Sequence, residues 1–185
     1  MFSNRIKDVK ASEIREILKL AARHDIISFA GGLPAPELFP VEEMKKVCFT
    51  ILDTMGEEAL QYSPTEGYDP LRQQISERMK PLGISVPKEE ILITSGSQQG
   101  LDFSGKIFLN AGDVVLCESP SYLGAINAFR AYEGQFREIE TDDNGMVLED
   151  LEKALKETEN VKMIYVIPDF QNPSGRTWSL ERRKG

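Results

Sequence analysis

Residues 91–101 read Ile91-Leu92-Ile93-Thr94-Ser95-Gly96-Ser97-Gln98-Gln99-Gly100-Leu101, and the hydrophobic period changes within them. Four β-favouring residues come first, and from Leu101 onward apolar residues recur at helical spacing. A strand, a short polar turn and a helix in this order direct free backbone N–H groups and the positive end of a helix dipole at one point. Such a point suits a phosphate, and Ser95, Ser97 and Gln98 add side-chain donors there.

On these residues alone, the alternative is an ordinary βα connection in which a serine or threonine caps the helix. The turn does not end in the Gly-Lys-Ser/Thr of a Walker loop, and it lacks the glycine fingerprint of dinucleotide-binding proteins. A single phosphate is therefore the ligand that this turn predicts.

Strands and helices alternate along the rest of the chain. Helical patterns cover 41–60 and the segment from Asp69, as N-cap, to Gly83, and strand patterns cover 113–118, 136–140 and 163–167. This order predicts right-handed βαβ units and a mainly parallel sheet with helices on both faces. Ligands of such sheets bind at the carboxyl ends of the strands. Three polar loops are expected to follow strands at that edge: 95–98, 119–122 and 172–175.

Composition and charge disfavour several classes of partner. The 185 residues carry a formal net charge of −8 with no basic run, so we expect no nucleic-acid surface. No apolar run is long enough to span a bilayer, and residues 1–10 have no apolar core of a signal peptide, so we expect no membrane partner. The two cysteines, Cys48 and Cys117, are interpreted as buried reduced thiols, which favours the cytoplasm. With a single histidine, no metal site is predicted.

Four segments together resemble fold-type-I pyridoxal-phosphate (PLP) enzymes, the aspartate aminotransferase superfamily. They are Gly31-Gly32-Leu33-Pro34, Gln61-Tyr62-Ser63-Pro64, the turn at Ser95–Gln99 and Asn172-Pro173-Ser174-Gly175. The match is closest to the branch that contains 2-aminoadipate and kynurenine aminotransferases. The resemblance implies an aspartate aminotransferase-like large domain that is incomplete here, with residues 1–40 as an N-terminal helix and substrate-side loop of the small domain. Residues 41–185 would be the first part of the PLP-binding large domain.

The resemblance also implies roles for residues around the cofactor. Ser97 and Gln98 would hold the phosphate of PLP, and Tyr122 would lie against the pyridine ring, since aromatic faces stack well. Asn172 would donate its amide to the phenolic oxygen of the cofactor and so tune its electronics. Singly, each has a plain alternative: Tyr122 could pack on the next helix, and Asn172 could sit in an ordinary turn.

Further roles implied by the resemblance concern the substrate and a second subunit. Gly31 or Gly32 would contact the substrate through the backbone, for which glycine allows close approach. Tyr62 matches a tyrosine that reaches the phosphate of the neighbouring subunit's cofactor, which implies a homodimer. The implied activity is transfer of an amino group between an amino acid and a 2-oxo acid, of the 2-aminoadipate, aromatic or multi-substrate type.

The chain departs from the family in one respect, because the Schiff-base lysine of the family lies well beyond the Asn-Pro-x-Gly loop. Only ten residues follow Gly175 here, so we assign no catalytic residue. We expect an N-terminal portion of an aminotransferase that is inactive by itself. The rivals are a PLP-dependent lyase of the same fold, the aminotransferase-like domain of a transcriptional regulator, and a non-catalytic fragment. The regulator is disfavoured because the aminotransferase pattern starts almost at Met1, where a basic winged-helix region would be expected.

Overall fold

The structure is a computed structural model that describes Ser3, Arg5 and residues 32–185. The N-terminal helix that the resemblance implies, and Gly31 itself, lie outside the described residues. Thr94–Gly185 belongs to one compact unit, and the described part of Ala11–Ile93 belongs to another. The domain boundary expected at residue 40 stays a prediction.

The unit before residue 94 is helical in its described part. Helix α1 covers Val41–Ala59 and helix α2 covers Asp69–Met79, with 3-10 turns at Pro36–Leu38, Lys80–Leu82 and Lys88–Glu90. The prediction of Asp69 as N-cap of α2 is wrong by one residue, because Tyr68 is the N-cap and Asp69 is the first helical residue. The Asp69 carboxylate instead accepts a hydrogen bond from Lys88 Nζ at 2.7 Å.

The strand predicted at 91–94 does not form in the described structure. This segment is held by backbone contacts instead: Arg72 Nε donates to the Ile91 carbonyl at 3.0 Å, and the Ile93 N–H donates to the Glu66 carbonyl at 3.0 Å. The β preference of isoleucine reflects its fit against a neighbouring strand, and no neighbouring strand pairs with 91–94 among the residues described. The backbone of Ile91 is extended, with φ −107° and ψ 125°, but no ladder forms there among the described residues.

The unit from Thr94 onward contains a parallel sheet. Its elements are α3 (Ser97–Phe108), β1 (Val114–Glu118), α4 (Leu123–Arg130), β2 (Gln135–Ile139), β3 (Thr141–Asp142), β4 (Gly145–Met146), α5 (Leu148–Glu157), β5 (Val161–Tyr165) and α6 (Leu180–Lys184). The sheet order is β2-β1-β5 with both pairings parallel, and β3 and β4 form a small antiparallel pair. The predicted parallel α/β sheet is confirmed.

Successive residues of β1 point to opposite faces of the sheet, and a hydrophobic core covers each face. Val115 packs with Ala125 and Phe129 of α4, whereas Leu116 packs with Ile139 and with Ala154 of α5. Helices thus lie on both faces, as predicted, and β1 is buried on both sides.

The apolar run at 163–167 predicts a buried strand, and this prediction is wrong in part, because β5 is only half buried. Lys162 and Ile164 are exposed, and the inward residues Val161, Met163 and Tyr165 are partly covered. Within the described sheet β5 is an edge strand, so the backbone groups along one of its edges have no partner strand there.

No helix in the described part of the chain has the length and apolar character needed to cross a membrane. The same residues contain no cluster of three or more His, Cys, Asp or Glu side chains that could ligate a metal.

Candidate functional site

A pocket of about 680 Å³ lies where three loops of the sheet unit meet. Ser97, Tyr122 and Asn172 all line it, together with Ser104 and Tyr165. Tyr122 lies in the loop after β1 and Asn172 in the loop after β5, so both come from the carboxyl ends of parallel strands. The Ser97 loop does not follow a strand of the described structure, in contrast to the expectation for 95–98.

Ser97 is the first residue of α3, a helix of 12 residues. The preceding residue, Gly96, is the N-cap with φ 78° and ψ 172°, and no side chain caps the helix. A positive φ of this kind is easy for glycine and strained for other residues. The alternative of a serine or threonine cap is therefore wrong, and the first N–H groups of α3 remain available to a ligand at the pocket.

The polar residues around this helix start are held in different ways. The Ser95 N–H donates to Gln99 Oε1 at 2.6 Å, and the Thr94 hydroxyl donates to the Gly96 carbonyl at 3.0 Å. Neither the Ser97 hydroxyl nor the Asn172 side-chain amide has a hydrogen-bond partner among the residues that the structure describes. Two polar side chains that line one pocket thus have hydrogen-bonding capacity to spare for a ligand.

Gln98 takes a different position from Ser97, the predicted phosphate ligand that lines the pocket. Its Nε2 donates to the carbonyl of Gly124 at 3.1 Å, and it is not among the residues that line the pocket. This bond ties the start of α3 to the start of α4. The role of Gln98 at a phosphate stays a prediction.

Two tyrosines supply the aromatic part of the pocket. Tyr122 is partly buried and packs against the core that contains Ala125 and Phe129. Tyr165 contacts Phe129 edge to face, with ring centroids 5.8 Å apart. Burial, with smaller contributions from Tyr122 and Glu118, raises the pKa of the Tyr165 phenol. Tyr165 was not singled out from the sequence, because it falls in the middle of the strand predicted at 163–167, whereas the observed β5 ends at this residue.

The loop that carries Asn172 is anchored by a buried carboxylate that the sequence did not indicate. Glu118, the last residue of β1, is 2% exposed. It accepts hydrogen bonds from the Ile167 N–H at 2.9 Å and from Trp178 Nε1 at 2.8 Å. The two ends of the loop after β5 are thereby fixed to the end of β1.

The remaining predicted residues belong to the other unit. Gly32 is exposed with φ 56°, and Tyr62 is fully exposed. Gly31 lies outside the described residues. Their roles toward a substrate or a neighbouring cofactor stay predictions.

The family model described as "Aminotransferase class I and II" matches residues 36–184. Among curated proteins, aromatic-amino-acid aminotransferase 1 of Thermococcus litoralis is 47% identical over 188 residues, which cover 99% of this chain and 45% of that protein. This chain therefore spans a little under half the length of that relative.

Solved structures show the same fold. The kynurenine aminotransferase of Pyrococcus horikoshii, solved in complex with PMP, superposes with a TM-score of 0.90 at 46% identity and covers 100% of this chain and 46% of that one. The α-aminoadipate aminotransferase of Thermus thermophilus, complexed with N-(5′-phosphopyridoxyl)-L-leucine, gives a TM-score of 0.87 at 49% identity, with 99% and 44% covered.

Proposed function

Because the chain belongs to the aminotransferase class I and II family, we propose that it forms part of a PLP-dependent aminotransferase. The observation that carries the proposal is the pocket shared by Ser97, Tyr122 and Asn172. A helix start, an aromatic ring and an amide with free donors match the three parts of PLP: a phosphate, a pyridine ring and a phenolic oxygen. The phosphopyridoxyl and PMP ligands of the two solved relatives support this choice of cofactor.

Each residue of the pocket has a physical task in this proposal. The first N–H groups of α3 and the Ser97 hydroxyl bind the phosphate, where the positive end of the helix dipole favours an anion. The Tyr122 ring stacks on the pyridine, and the Asn172 amide donates to the phenolic oxygen. Gln98 joins the phosphate group once its amide leaves the Gly124 carbonyl. Bound PLP supplies the electron-withdrawing ring that lets an amino group leave one carbon skeleton and join another.

The relatives are aminotransferases of aromatic amino acids, kynurenine and α-aminoadipate, and they supply the substrate class of this proposal. We propose an amino acid of this group as amino donor and a 2-oxo acid as acceptor. Gly31 and Gly32 contact the substrate through the backbone. A lyase of the same fold is the second candidate, and the product separates the two: transamination yields a new amino acid from the 2-oxo acid, and elimination yields none.

The assembly in this proposal is a homodimer in the cytoplasm. Tyr62 is a large aromatic side chain that is fully exposed in its unit, so it is free to reach the phosphate at a neighbouring subunit's site. Its exposure supports this role because an aromatic ring left in water gains most from a partner that covers it.

None of the described residues that line the pocket is a lysine. In this proposal the 185 residues therefore hold the cofactor without a covalent bond and show no turnover alone. The free energy of a few charge-assisted hydrogen bonds is partly offset by the free-energy cost of association. The difference corresponds to a Kd of about micromolar to millimolar.

The proposal is tested with pyridoxine 5′-phosphate, which has no aldehyde and cannot react with surface lysines. Binding to the 185-residue chain is measured by calorimetry for the wild type, for Ser97→Ala and Asn172→Ala, and for Ser85→Ala as an exposed control. Both pocket variants are expected to weaken binding by about tenfold or more, and the control to bind like the wild type. Absence of wild-type binding, or equal binding by all four proteins, would overturn the site.

A second assay addresses the activity. The purified chain is incubated with PLP, L-2-aminoadipate or L-kynurenine, and 2-oxoglutarate, and glutamate is measured. The expected rate equals that of free PLP, and a clear rate above it contradicts the proposed need for a lysine outside these residues.

A further inference from the structure

The side chain before Asn172 is buried and uses both ends of its amide. Gln171 is 3% exposed. Its Nε2 donates to the Pro120 carbonyl at 2.8 Å, and its Oε1 accepts from the Ser174 N–H at 2.8 Å and from the Ser174 hydroxyl at 2.6 Å. A buried amide with its donor and its acceptor engaged in this way is held in one orientation.

These bonds connect the two loops that supply the pocket. Pro120 lies two residues before Tyr122 in the loop after β1, and Ser174 lies two residues after Asn172 in the loop after β5. One side chain thus joins two segments that are 51 residues apart in sequence. The spacing between the Tyr122 ring and the Asn172 amide depends on this link.

The backbone of Gln171 closes the same loop. Its N–H donates to the Arg176 carbonyl at 2.8 Å, and its carbonyl accepts from the Gly175 N–H at 2.6 Å. Asn172 therefore lies in a loop that is closed on itself, and the Gln171 amide fixes this closed loop to the Pro120 backbone.

The chemistry requires glutamine at this position. A carboxylate of the same size would accept from Ser174 but would place an oxygen against the Pro120 carbonyl, and an aliphatic residue would remove the hydrogen bonds to Pro120 and to Ser174 together. Glu118 ties the loop at Ile167 and Trp178, near its two ends. Gln171 acts between these points, next to Asn172.

We infer that Gln171 is a positioning residue that holds Tyr122 and Asn172 at the separation needed to bind one pyridine ring. This inference rests on the proposed function. Gln171 does not line the pocket, so it acts through the two neighbours and not on the ligand.

The test is a double-mutant cycle with two probes. Pyridoxine 5′-phosphate reports the ring and the phosphate, and inorganic phosphate reports the start of α3 alone. Gln171→Ala is expected to weaken binding of the first probe by about tenfold, which corresponds to about 1.4 kcal/mol, and to leave binding of phosphate within about twofold. In a Tyr122→Ala background, Gln171→Ala is expected to weaken binding of pyridoxine 5′-phosphate by less than about threefold, because there is no ring left to position.

Gln171→Glu is the second variant, because it keeps the size and the bond to Ser174. It is expected to weaken pyridoxine 5′-phosphate binding as Gln171→Ala does, since its carboxylate cannot donate to Pro120. Wild-type-like binding by Gln171→Glu, additive effects in the cycle, or an equal loss for both probes would each overturn the inference while the site itself stands. Failure of the wild type to bind pyridoxine 5′-phosphate would overturn the proposed function, and the inference with it.

Discussion

The ring of Tyr122 occupies the space that a side chain at position 124 would need. A Cβ atom built on Gly124 lies 2.4 Å from both Cε1 and Cζ of Tyr122 and 2.5 Å from its hydroxyl oxygen. The carbonyl of the same glycine accepts the hydrogen bond from Gln98. Gly124 thus lies next to both Gln98 and Tyr122, to which the family resemblance gives different roles at the cofactor.

Gly124→Ala is therefore predicted to displace the Tyr122 ring. The clash falls on the end of a side chain that can rotate, so the protein should fold, and alanine is favoured over glycine in a helix by up to about 1 kcal/mol. We expect binding of pyridoxine 5′-phosphate to weaken by about tenfold with no loss of stability. Near-ultraviolet circular dichroism measures the displacement of the Tyr122 ring, and calorimetry measures the binding and the stability.

Gly56→Ala is the matched control for this substitution. Gly56 lies in α1, and a Cβ atom there meets nothing within 4 Å. It should leave both the tyrosine signal and the binding unchanged. If Gly124→Ala binds as tightly as Gly56→Ala, the ring position does not depend on the glycine.

The sequence predicts the elements of the sheet unit well because their signals are local. The strand patterns at 113–118, 136–140 and 163–167 appear in the structure as β1 (Val114–Glu118), β2 (Gln135–Ile139) and β5 (Val161–Tyr165). The convergence of Tyr122 and Asn172 on one pocket also agrees with the topology of parallel strands, whereas Ser97 reaches the pocket from a segment that follows no strand of the described structure.

The features that the sequence did not predict depend on contacts between segments far apart in the chain, and a local sequence pattern does not indicate such contacts. The β-favouring residues 91–94 have no ladder partner in the part of the chain that the structure describes, and β5 lies at an edge of the sheet found there. Glu118 and Gln171 resemble surface residues in the sequence, yet both are buried because their partners lie about 50 residues away or more. Burial of a polar residue follows from its partners and not from its type.

The two cysteines are predicted to differ sharply in reactivity. The expectation that both are buried is wrong, because Cys48 is exposed and Cys117 is buried. Burial, with repulsion from Glu138 and Glu118, raises the pKa of the Cys117 thiol to about 11. At pH 8 the thiolate of Cys117 is scarce and shielded, so a disulfide reagent should titrate one thiol in the native protein and two in denaturant.

Cys48→Ser and Cys117→Ser identify which thiol reacts. The first variant should show no fast reaction when folded, and the second should react like the wild type. Rapid native modification of Cys117 would contradict the packing of β1.

Acid stability is predicted to depend on the pair formed by Asp142 and Arg182. Arg182 Nη2 donates to Asp142 Oδ2 at 2.8 Å, and this bond, aided by the Asn144 N–H, holds the pKa of Asp142 below its ordinary value of 3.8. A carboxylate whose pKa is lower in the folded than in the unfolded state stabilises the folded state at pH values above its unfolded-state pKa. This contribution is lost as the pH falls through the folded-state pKa. Wild type should therefore be more stable than Asp142→Asn at pH 6, and the difference should shrink below about pH 4.

Urea midpoints between pH 6 and pH 2.5 measure this effect, with the fluorescence of Trp178, the single tryptophan in the sequence, as the probe. Glu159→Gln, an exposed substitution in the same unit, should follow the wild-type curve. If the urea midpoints of wild type and Asp142→Asn differ by the same amount at every pH, the pair does not titrate as described.

Replacing the buried carboxylate of Glu118 is predicted to loosen the loop that carries Asn172. Glutamine at this position keeps one accepting oxygen but turns an NH2 group toward either the Ile167 N–H or the Trp178 indole N–H. A buried donor then faces another donor, and a charge-assisted hydrogen bond worth about 1.5–3 kcal/mol is lost. Glu118→Gln should lower the free energy of unfolding by about that amount and shift the emission of Trp178.

Glu152→Gln and Trp178→Phe separate this effect from a general loss of charge. Glu152 pairs with Lys156 on the exposed face of α5, where an ion pair adds little to stability, so its substitution should leave the urea midpoint unchanged. Trp178→Phe removes one of the two donors to Glu118. In that background the glutamine oxygen of Glu118→Gln can face the Ile167 N–H while its NH2 group meets no donor. Glu118→Gln should therefore lower the free energy of unfolding by less than it does in the wild type, as measured by circular dichroism. An equal cost in both backgrounds would show that the indole N–H contributes nothing to holding the carboxylate.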